Sequence, residues 1–403
     1  MQMEREIVIT GMGAVTPVGI GVAEFWNGLL AGRCGIGPVT SFDTSALQVH
    51  AAAQVADFDA AALLPGHLAT DLDRFMQFAY VAANEALAMS GLVPDDRCGI
   101  VMGTALAGLT CIGQTQEAAS LAHKPVGPRF MTKIMGNIAA AQFAIDHKIT
   151  GPSLTVSTAC SSGGDAIATA ALLLQSGAAD AIVCMGGEST VNPLFFQSLG
   201  RAGALSRSGR SAPFDASRDG FVTGEGGGAL ILETRARAEA RGAEILARLL
   251  GWGNNTDAFH VVSPHPEGAG AAACMRLALQ QAGLAPTDIG YVNAHGTATI
   301  KGDLAETKAI AQVFGSYTVP VSSTKGATGH MMGAGGITEC IACIQAIRTG
   351  VLPPTLHFTA QDEASQPLSI VGPTPLRREI NAAMSNALGF GGQNSSIIVG
   401  RYT

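Results

Sequence analysis

Charged residues are scarce in this chain of 403 residues. Asp, Glu, Lys and Arg make up 14% of it, and 31 acidic against 24 basic residues give a formal net charge of −7 at pH 7. No run of basic residues offsets this acidic balance, so nucleic-acid binding is not expected. The sequence also has no apolar stretch long enough to cross a bilayer and opens without a signal peptide. We therefore expect a cytoplasmic protein with no membrane contact.

Metal-binding and disulfide patterns are lacking as well. The eight cysteines are irregularly spaced, which is typical of free thiols in a reducing compartment. Cys340 and Cys343 form a C-x-x-C pair, but it falls in the apolar helical pattern 337–347 without a second pair or a nearby histidine. We interpret both as packing residues and predict no metal site. The 51 glycines and 47% hydrophobic residues indicate a compact α/β protein.

The segment around Cys160 is the most informative part of the sequence. An apolar, β-branched run stops at this cysteine, and the small residues 161–164 then open an Ala/Leu-rich helix predicted to extend to Gln175. A cysteine on such a turn lies at the positive end of the helix dipole, which predicts a lowered thiol pKa and a thiolate nucleophile. The same backbone N–H groups could bind a developing oxyanion. For this cysteine taken alone, a small buried residue that fills space beside glycines would be the better interpretation.

Two histidines and a lysine favour the catalytic interpretation. His295 follows the strand pattern 289–292, while Lys325 and His330 follow the strand pattern 319–321. Both loops are rich in Gly and Thr, and functional side chains are often placed on such loops. Cysteine with histidine is a common pairing for covalent acyl transfer. Five other histidines, His357 among them, are interpreted as structural.

The chain contains a faint internal repeat. Cys160 and two glycines precede one Ala/Leu-rich helix, and His330 and three glycines precede a second helical pattern at 337–347. Alternating strands and helices indicate an α/β fold with mostly parallel central sheets, built from two duplicated βαβ halves. We predict an amino-terminal half at 1–250 and a carboxy-terminal half at 251–403. The glycines at 11 and 13 match a dinucleotide-binding loop only in part, so NAD binding is rejected.

Separated motifs along the whole chain carry a family resemblance. They are the Cys160 turn, Pro213-Phe214-Asp215 with Gly224-Glu225-Gly226, Asn293-Ala294-His295-Gly296-Thr297-Ala298-Thr299, Thr324-Lys325 with Gly329-His330, and Gly389-Phe390-Gly391-Gly392. In this order they resemble a β-ketoacyl-[acyl carrier protein] synthase of the elongating type (synthase II-like), within the thiolase-like superfamily. The resemblance implies a thiolase-like fold whose halves pack as α-β-α-β-α layers.

The same resemblance implies the chemistry. Cys160 would hold the acyl chain as a thioester, with the N–H groups of Cys160 and Phe390 as the oxyanion hole. His295 and His330 would bind a malonyl thioester as neutral donors while it loses CO₂, and its carbanion would extend the chain by two carbons. Lys325 would fix the tautomer of His330, and Glu306 matches the acidic partner of that lysine. No cofactor is implied, because the substrates are carried on the phosphopantetheine of an acyl carrier protein.

Further positions follow from the resemblance. Thr297 and Thr299 would bind the phosphopantetheine arm, Phe390 would gate the acyl pocket opposite a second mobile loop at 257–264, and Leu106 and Leu199 would lie along that pocket. An acidic carrier protein needs a basic docking patch. The candidate docking residues are Arg129, Lys133, Arg201, Arg207 and Arg210.

Several residues depart from the common pattern. Leu199 replaces a usual phenylalanine, Gly203 replaces an arginine of one branch, and the stretch 67–73 is acidic. A ketosynthase subunit of a type II polyketide or polyene pathway is therefore the alternative to fatty acid elongation. A non-catalytic chain-length subunit would lack Cys160, and a degradative thiolase would need a second cysteine beyond Cys343. The superfamily implies a dimer, either of two copies or with a chain-length-factor-like subunit.

Overall fold

The computed structural model describes residues 5–402, which form alternating strands and helices. The strands are β1 Ile7–Thr16, β2 Gly19–Ile20, β3 Ile36–Pro38, β4 Ala51–Ala53, β5 Cys98–Gly103, β6 Ser153–Val156, β7 Ala181–Glu188, β8 Gly226–Thr234, β9 Ala247–Thr256, β10 Tyr291–Asn293, β11 Pro320–Ser322, β12 Val351–Leu352, β13 Ser369–Ile370, β14 Leu376–Arg377, β15 Ala382–Leu388 and β16 Gln393–Gly400.

The helices connect these strands and cover their faces. They are α1 Val22–Leu30, α2 Ala60–Leu63, α3 Leu68–Asp71, α4 Arg74–Ser90, α5 Leu109–Leu121, α6 Phe130–Ile134, α7 Ile138–His147, α8 Ser162–Gln175, α9 Pro193–Arg201, α10 Arg235–Ala240, α11 Ala269–Ala282, α12 Ile300–Phe314, α13 Lys325–Thr328 and α14 Met332–Thr349, with single 3₁₀ turns at Ala159–Ser161 and Pro286–Asp288. None of these helices combines the length and apolarity that crossing a bilayer requires.

The strand order repeats. In the first half β6, β5 and β7 are parallel, and β8 and then β1 follow as antiparallel neighbours. In the second half β11, β10 and β15 are parallel, and β16 and then β9 follow in the same way. A short antiparallel pairing of β1 with β9 joins the two. This repetition confirms the predicted duplicated α/β architecture, but the strands of each half form a mixed arrangement rather than a mostly parallel one.

The helices complete five layers around these sheets. Helix α4 covers β1, β7 and β8 from outside, and α11 covers β9 and β16. Helices α8 and α14 pack against each other between the two halves, where each contacts strands of both. Strands β1, β7 and β8 are buried along their full length, which explains why their sequences are continuous apolar runs rather than alternating ones. The predicted boundary at 250/251 falls within β9, and the division into two domains stays a prediction.

The two central helices meet through glycines. A Cβ on Gly163 would stand 2.8 Å from the carbonyl oxygen of Gly333, and a Cβ on Gly336 would stand 2.6 Å from the backbone nitrogen of Gly164. Such distances are shorter than any normal carbon contact, so the backbones touch only because these side chains are absent. The helix predicted at 337–347 extends further in both directions in the structure. Glycines 333, 335 and 336 belong to α14, which begins at Met332.

Replacing Gly163 with alanine tests this contact. We expect the G163A variant to lose about 1–3 kcal/mol of stability, because the added methyl group meets main-chain atoms that cannot rotate away. Its thermal midpoint should fall accordingly, as measured by calorimetry.

The G200A variant is a matched control in a helix. The added Cβ would lie 3.7 Å from Val49, an ordinary contact, so alanine should change stability by no more than about 1 kcal/mol, in the stabilising direction. Equal destabilisation of both variants would show that close packing at Gly163 is not the cause.

Candidate active site

The ends of several strands meet at one pocket between the two halves. Its wall includes Cys160, His295, His330 and Phe390, together with the threonines at 297 and 299. Cys160 comes from the turn after β6, His295 from the loop after β10, and His330 from the segment between α13 and α14. Phe390 comes from the turn between β15 and β16. The structure thus brings together the cysteine, the two histidines and the phenylalanine that the sequence singled out.

The Cys160 turn holds the sulfur in a fixed position. Ala159, just before it, has φ of 52°, a left-handed conformation that is uncommon outside glycine. The Ser162 hydroxyl accepts from the Thr158 N–H at 2.9 Å and donates to the Ala159 carbonyl at 2.6 Å, which locks the turn at the start of α8. The Cys160 side chain is almost fully buried, with Sγ 3.8 Å from the Met332 sulfur.

The predicted low pKa of the Cys160 thiol is wrong for this structure. Burial raises its pKa to about 11, which outweighs the lowering by the Phe390 N–H and the Lys325 charge. The helix-terminus argument considered only the local sequence and left out the loss of water around the sulfur. The N–H groups of Phe390 and of Cys160 itself lower the pKa of the thiol, so both backbone donors act on the sulfur atom.

The loop that carries His295 is held by two buried carboxylates of α12. Glu306 accepts from the N–H groups of His295 and Gly296 at 2.8 and 2.7 Å, and Asp303 accepts from those of Ala298 and Phe214 at 3.1 and 2.7 Å. Burial raises the pKa of Glu306 to about 7 and that of Asp303 to about 6, although these N–H donors oppose the shift.

The predicted pairing of Lys325 with Glu306 is therefore wrong. The Lys325 ammonium forms an ion pair with Glu339 of α14, and both side chains are buried. Glu306 accepts hydrogen bonds from backbone N–H groups instead. Within residues 5–402, neither ring nitrogen of His330 has a hydrogen-bond partner, so the expected tautomer-fixing bond from Lys325 is absent. Lys325 acts on His330 through its charge.

The nucleophile and the two histidines form a tight cluster. Their Sγ and imidazole nitrogen atoms lie within 4.8 Å of one another, and the two imidazole rings meet edge to face at 5.3 Å. Burial lowers the pKa of both histidines well below 6.5, and the Lys325 charge lowers it further. Both rings are therefore neutral near pH 7, and each carries one N–H donor.

A cysteine and two histidines at this spacing could also supply three ligands to a zinc ion. The electrostatics of the site oppose such an ion. The same Lys325 charge that disfavours a proton on His295 and His330 disfavours any cation between them. The three ligand atoms therefore have a spacing that suits a metal ion, but the charge of Lys325 disfavours a cation at this place.

The predicted substrate-contacting residues divide into two groups. Thr297, Thr299 and Phe390 line the pocket, and the two threonine hydroxyls are 3.1 Å apart. Leu106 and Leu199 do not line it. Leu106 is 40% exposed, while Leu199 packs against the cluster of apolar side chains that contains Cys160.

The rim of the pocket joins two loops that were predicted to move. The N–H of Gly391 donates to the Val261 carbonyl at 2.6 Å, and the N–H of Asp257 donates to the Gly392 carbonyl at 2.7 Å. The turn that carries Phe390 is thus connected to the loop 257–264 by main-chain hydrogen bonds. Movement of either loop stays a prediction.

The candidate docking residues also fall into two groups. Arg201, Arg207 and Arg210 are exposed on a segment whose residues 202–204 line the pocket entrance. Arg129 forms an ion pair with Asp71, and Lys133 is half-buried near Asp73. The acidic stretch 67–73 thus offsets the positive charge of Arg129 and Lys133. Among the five candidates, the first three carry positive charge on the segment that lines the pocket.

Sequence reasoning missed Glu188 at the end of β7. It is fully buried and accepts from the N–H groups of Ala105, Leu106 and Gly333 at 2.6, 3.2 and 3.2 Å. Burial raises its pKa to about 7. It therefore ties the loop after β5 to the start of α14, next to Met332. The available signal was a single carboxylate that closes an otherwise apolar and glycine-rich strand.

Comparison with known proteins assigns this arrangement to a family. The profile described as Beta-ketoacyl synthase, N-terminal domain, matches residues 4–238, and the one described as Beta-ketoacyl synthase, C-terminal domain, matches residues 246–359. The chain belongs to the β-ketoacyl synthase family. The resemblance that the sequence motifs carried is confirmed.

Individual relatives match this member of the family over nearly its whole length. The 3-oxoacyl-[acyl-carrier-protein] synthase 2 of Synechocystis sp. is 38% identical over 412 residues, covering 99% of each chain. Among solved structures, the ishigamide ketosynthase/chain length factor matches with a TM-score of 0.94 at 33% identity, covering 99% of this chain and 100% of that one. A type II polyketide synthase acyl-carrier protein in complex with its ketosynthase matches with a TM-score of 0.90 at 28% identity and the same coverage.

The raised pKa of Cys160 predicts an unusual pH dependence of its alkylation. In the native enzyme the rate of modification by iodoacetamide should still be increasing at pH 9.0, the ordinary value for a thiol, because the group titrates near 11. Peptide mapping after an acid quench measures this rate.

The control is the same cysteine in the denatured chain, where labelling should level off around the ordinary value. A plateau at neutral pH in the native enzyme would contradict the raised pKa and restore the thiolate prediction.

Proposed function

We propose that the protein elongates acyl chains by decarboxylative condensation of malonyl-[acyl carrier protein] with an acyl group held on Cys160. The observation that carries this proposal is the cluster of Cys160, His295 and His330, whose ligand atoms lie within 4.8 Å of one another. The separate halves of the fold supply the nucleophile and the histidines, so the pocket between them presents both to one substrate. The product is a β-ketoacyl-[acyl carrier protein] two carbons longer.

Acyl transfer comes first. Sγ of Cys160 attacks the carbonyl carbon of the acyl thioester, and the oxygen of the tetrahedral intermediate is bound by the N–H groups of Cys160 and Phe390. The carrier thiolate leaves and takes the proton of the Cys160 thiol. A resting thiol with a raised pKa suits this step, since one thiol is exchanged for another and no free charge is left in the buried site.

Condensation follows at the same atoms. The malonyl thioester oxygen accepts hydrogen bonds from the neutral rings of His295 and His330, which line the pocket. Loss of CO₂ places negative charge on that oxygen as an enolate, and both donors become stronger partners as the charge develops. The enolate carbon attacks the acyl carbonyl on Cys160, and the Cys160 thiolate leaves and takes up a proton from water to restore the thiol.

The buried charges around the site position these groups. Lys325, paired with Glu339, keeps both histidines neutral by its charge, while Glu306 holds the loop of His295 by two main-chain bonds. Thr297 and Thr299 face the channel through which a phosphopantetheine arm reaches the cysteine. The proposed reaction uses no cofactor beyond that arm, which the carrier protein supplies.

A second candidate function is chain extension in a type II polyketide or polyene pathway. Leu199 and Gly203 depart from the fatty-acid pattern, and Gly203 lies at the pocket entrance. The similarity to the ishigamide ketosynthase/chain length factor also favours it. The two functions share every catalytic step above and differ in the acyl chains that the pocket accepts.

We propose that a second copy of the chain covers the free edge of the large sheet. Strand β6 ends that sheet, and Leu154 on it is 45% exposed. Leu121, Val126 and Met131, from the segment between β5 and β6, are more than half exposed. An uncovered edge strand beside apolar side chains is unfavourable in water. We place this dimer in the cytoplasm, where its carrier protein would be found.

Intact mass spectrometry with a panel of acyl-carrier-protein thioesters tests the function. Saturated medium or long chains should load Cys160, and added malonyl-carrier protein should release them extended by two carbons. The C160A variant should show no adduct and no condensation, because it lacks the only nucleophile of the cluster.

The same panel separates the two candidates. Selective loading of short or conjugated chains with repeated extension would favour the polyketide pathway over fatty acid elongation. Native mass measurement of the sample reports whether the active species is a pair of identical chains or needs another subunit. Full condensing activity in C160A would overturn the mechanism.

Reversal of Arg207 to glutamate tests carrier docking. The side chain is exposed, with its guanidinium 3.0 Å from the Gln48 amide oxygen. At low salt we expect the Michaelis constant for carrier-bound substrate to increase about 3–10-fold with little change in kcat, and the effect to shrink at high salt. Arg348→Glu is the control, since Arg348 is exposed in the last turn of α14, at the end opposite to Met332. Equal effects of both variants would assign the change to net charge alone.

A further inference from the structure

The segment that follows β10 leads from the buried part of the pocket to its mouth. His295 and Thr297 at its start are buried, with 7% and 6% of their surface exposed. Ile300 is 61% exposed, and Lys301 next to it is exposed as well. All four residues line the same pocket as Cys160. A long substrate that reaches Cys160 along this segment therefore passes Lys301 first and His295 last.

Lys301 carries the one positive charge among the described residues that line this pocket. The two histidines of the wall are neutral near pH 7, and its other charged residues are the carboxylates Asp219 and Asp257. Asp219 accepts a hydrogen bond from the Ser208 N–H at 2.9 Å. Asp257 accepts one from the His265 N–H, also at 2.9 Å. Both carboxylates are thus bound to main-chain donors of their own loops rather than to the lysine.

The Lys301 ammonium differs from those of the next two lysines along the chain. Lys308 forms an ion pair with Glu267 at 2.8 Å, and Lys325 forms its buried pair with Glu339. Within residues 5–402 Lys301 forms no ion pair, although the protein as a whole is acidic. Its charge is therefore free to act on an anion that enters the pocket.

A phosphopantetheine arm presents its chemical groups in an order that matches this segment. The thioester at one end of the arm has to reach Cys160, and the amide groups of the arm come next. The hydroxyls of Thr297 and Thr299 can donate to such amides and accept from them. The phosphodiester at the other end adjoins the carrier protein and carries one negative charge. A cation is its favourable partner, and Lys301 supplies one at the mouth of the pocket.

We propose that Lys301 binds the phosphate of the phosphopantetheine arm at the mouth of the pocket and selects for substrates that carry this phosphate. The proposal rests on the proposed condensing function, which brings the arm to Cys160. Without Lys301 the only charged groups left on the pocket wall would be Asp219 and Asp257, which repel a phosphate. Lys301 thus offsets the negative charge of the wall where the arm has to enter.

Protection of Cys160 from iodoacetamide, followed by peptide mapping of the full-length protein, tests this contact. The probes are two thioethers that cannot transfer an acyl group, S-ethyl pantetheine with a methyl phosphodiester and S-ethyl pantetheine without phosphate. At low salt the phosphodiester should protect the wild-type protein at an about 3–5-fold lower concentration than the phosphate-free probe, and this difference should shrink at high salt. In K301Q, which removes the charge and keeps a polar side chain, both probes should protect equally.

Two further variants control for folding and for net charge. K301R keeps the positive charge and should keep the preference for the phosphodiester. K148Q changes an exposed lysine at the end of α7, which does not line the pocket, and should also keep it. Equal protection of the wild-type protein by both probes, protection by neither, or an unchanged preference in K301Q would each overturn the proposal.

The S-ethyl thioether of coenzyme A identifies the source of the phosphate. It should protect no better than the methyl phosphodiester if Lys301 binds the phosphate of the arm. Stronger protection that is lost in K301Q would assign the lysine to the nucleotide phosphates of free coenzyme A and overturn the proposal. None of these measurements involves acyl transfer. A failure to condense carrier-bound substrates would therefore contradict the proposed function and leave the result for Lys301 unchanged.

Discussion

The contact between the glycines of α8 and α14 is the constraint on which the site depends. Gly163 and Gly164 at the start of α8 touch Gly333 and Gly336 at the start of α14. Each helix begins beside a reactive residue, Cys160 for α8 and His330 for α14. Because main-chain atoms form the contact, the distance between the nucleophile and the histidine is set by backbone packing rather than by flexible side chains. Bulkier residues would separate the two halves at this point.

Burial is the second determinant of the chemistry. It makes the histidines neutral and keeps the Cys160 thiol protonated, and it raises the pKa of the carboxylates that hold the loops. The site contains one strong internal charge pair, Lys325 with Glu339. A dry pocket with neutral donors stabilises charge only where it develops, which is the requirement of an enolate that forms and disappears within one turnover. The structure therefore favours transient negative charge over a resting thiolate.

Local patterns in the sequence predicted the parts of this site that depend on local structure. The strand-to-helix turn at Cys160 and the loops of His295 and His330 lie where their flanking residues indicated. Features that depend on distant partners were missed. The partner of Lys325 is Glu339, a carboxylate within an apolar helical pattern, and nothing in that pattern shows which way its side chain points. The predictions of the thiol pKa and of the role of Glu306 failed for the same reason, because burial and backbone contacts are settled by tertiary packing.

The repeated strand order indicates how this site arose. The loops after β6 and β11, the equivalent strands of the two halves, carry Cys160 and His330, so these residues occupy corresponding places in the two strand orders. The loops after β5 and β10 correspond as well, and in each a buried glutamate binds two consecutive N–H groups, Glu188 at 105–106 and Glu306 at 295–296. In evolutionary terms the halves look like diverged copies that kept a common scaffold. In the proposed function one copy serves covalent attachment and the other stabilises the enolate, so neither alone holds a complete reaction centre.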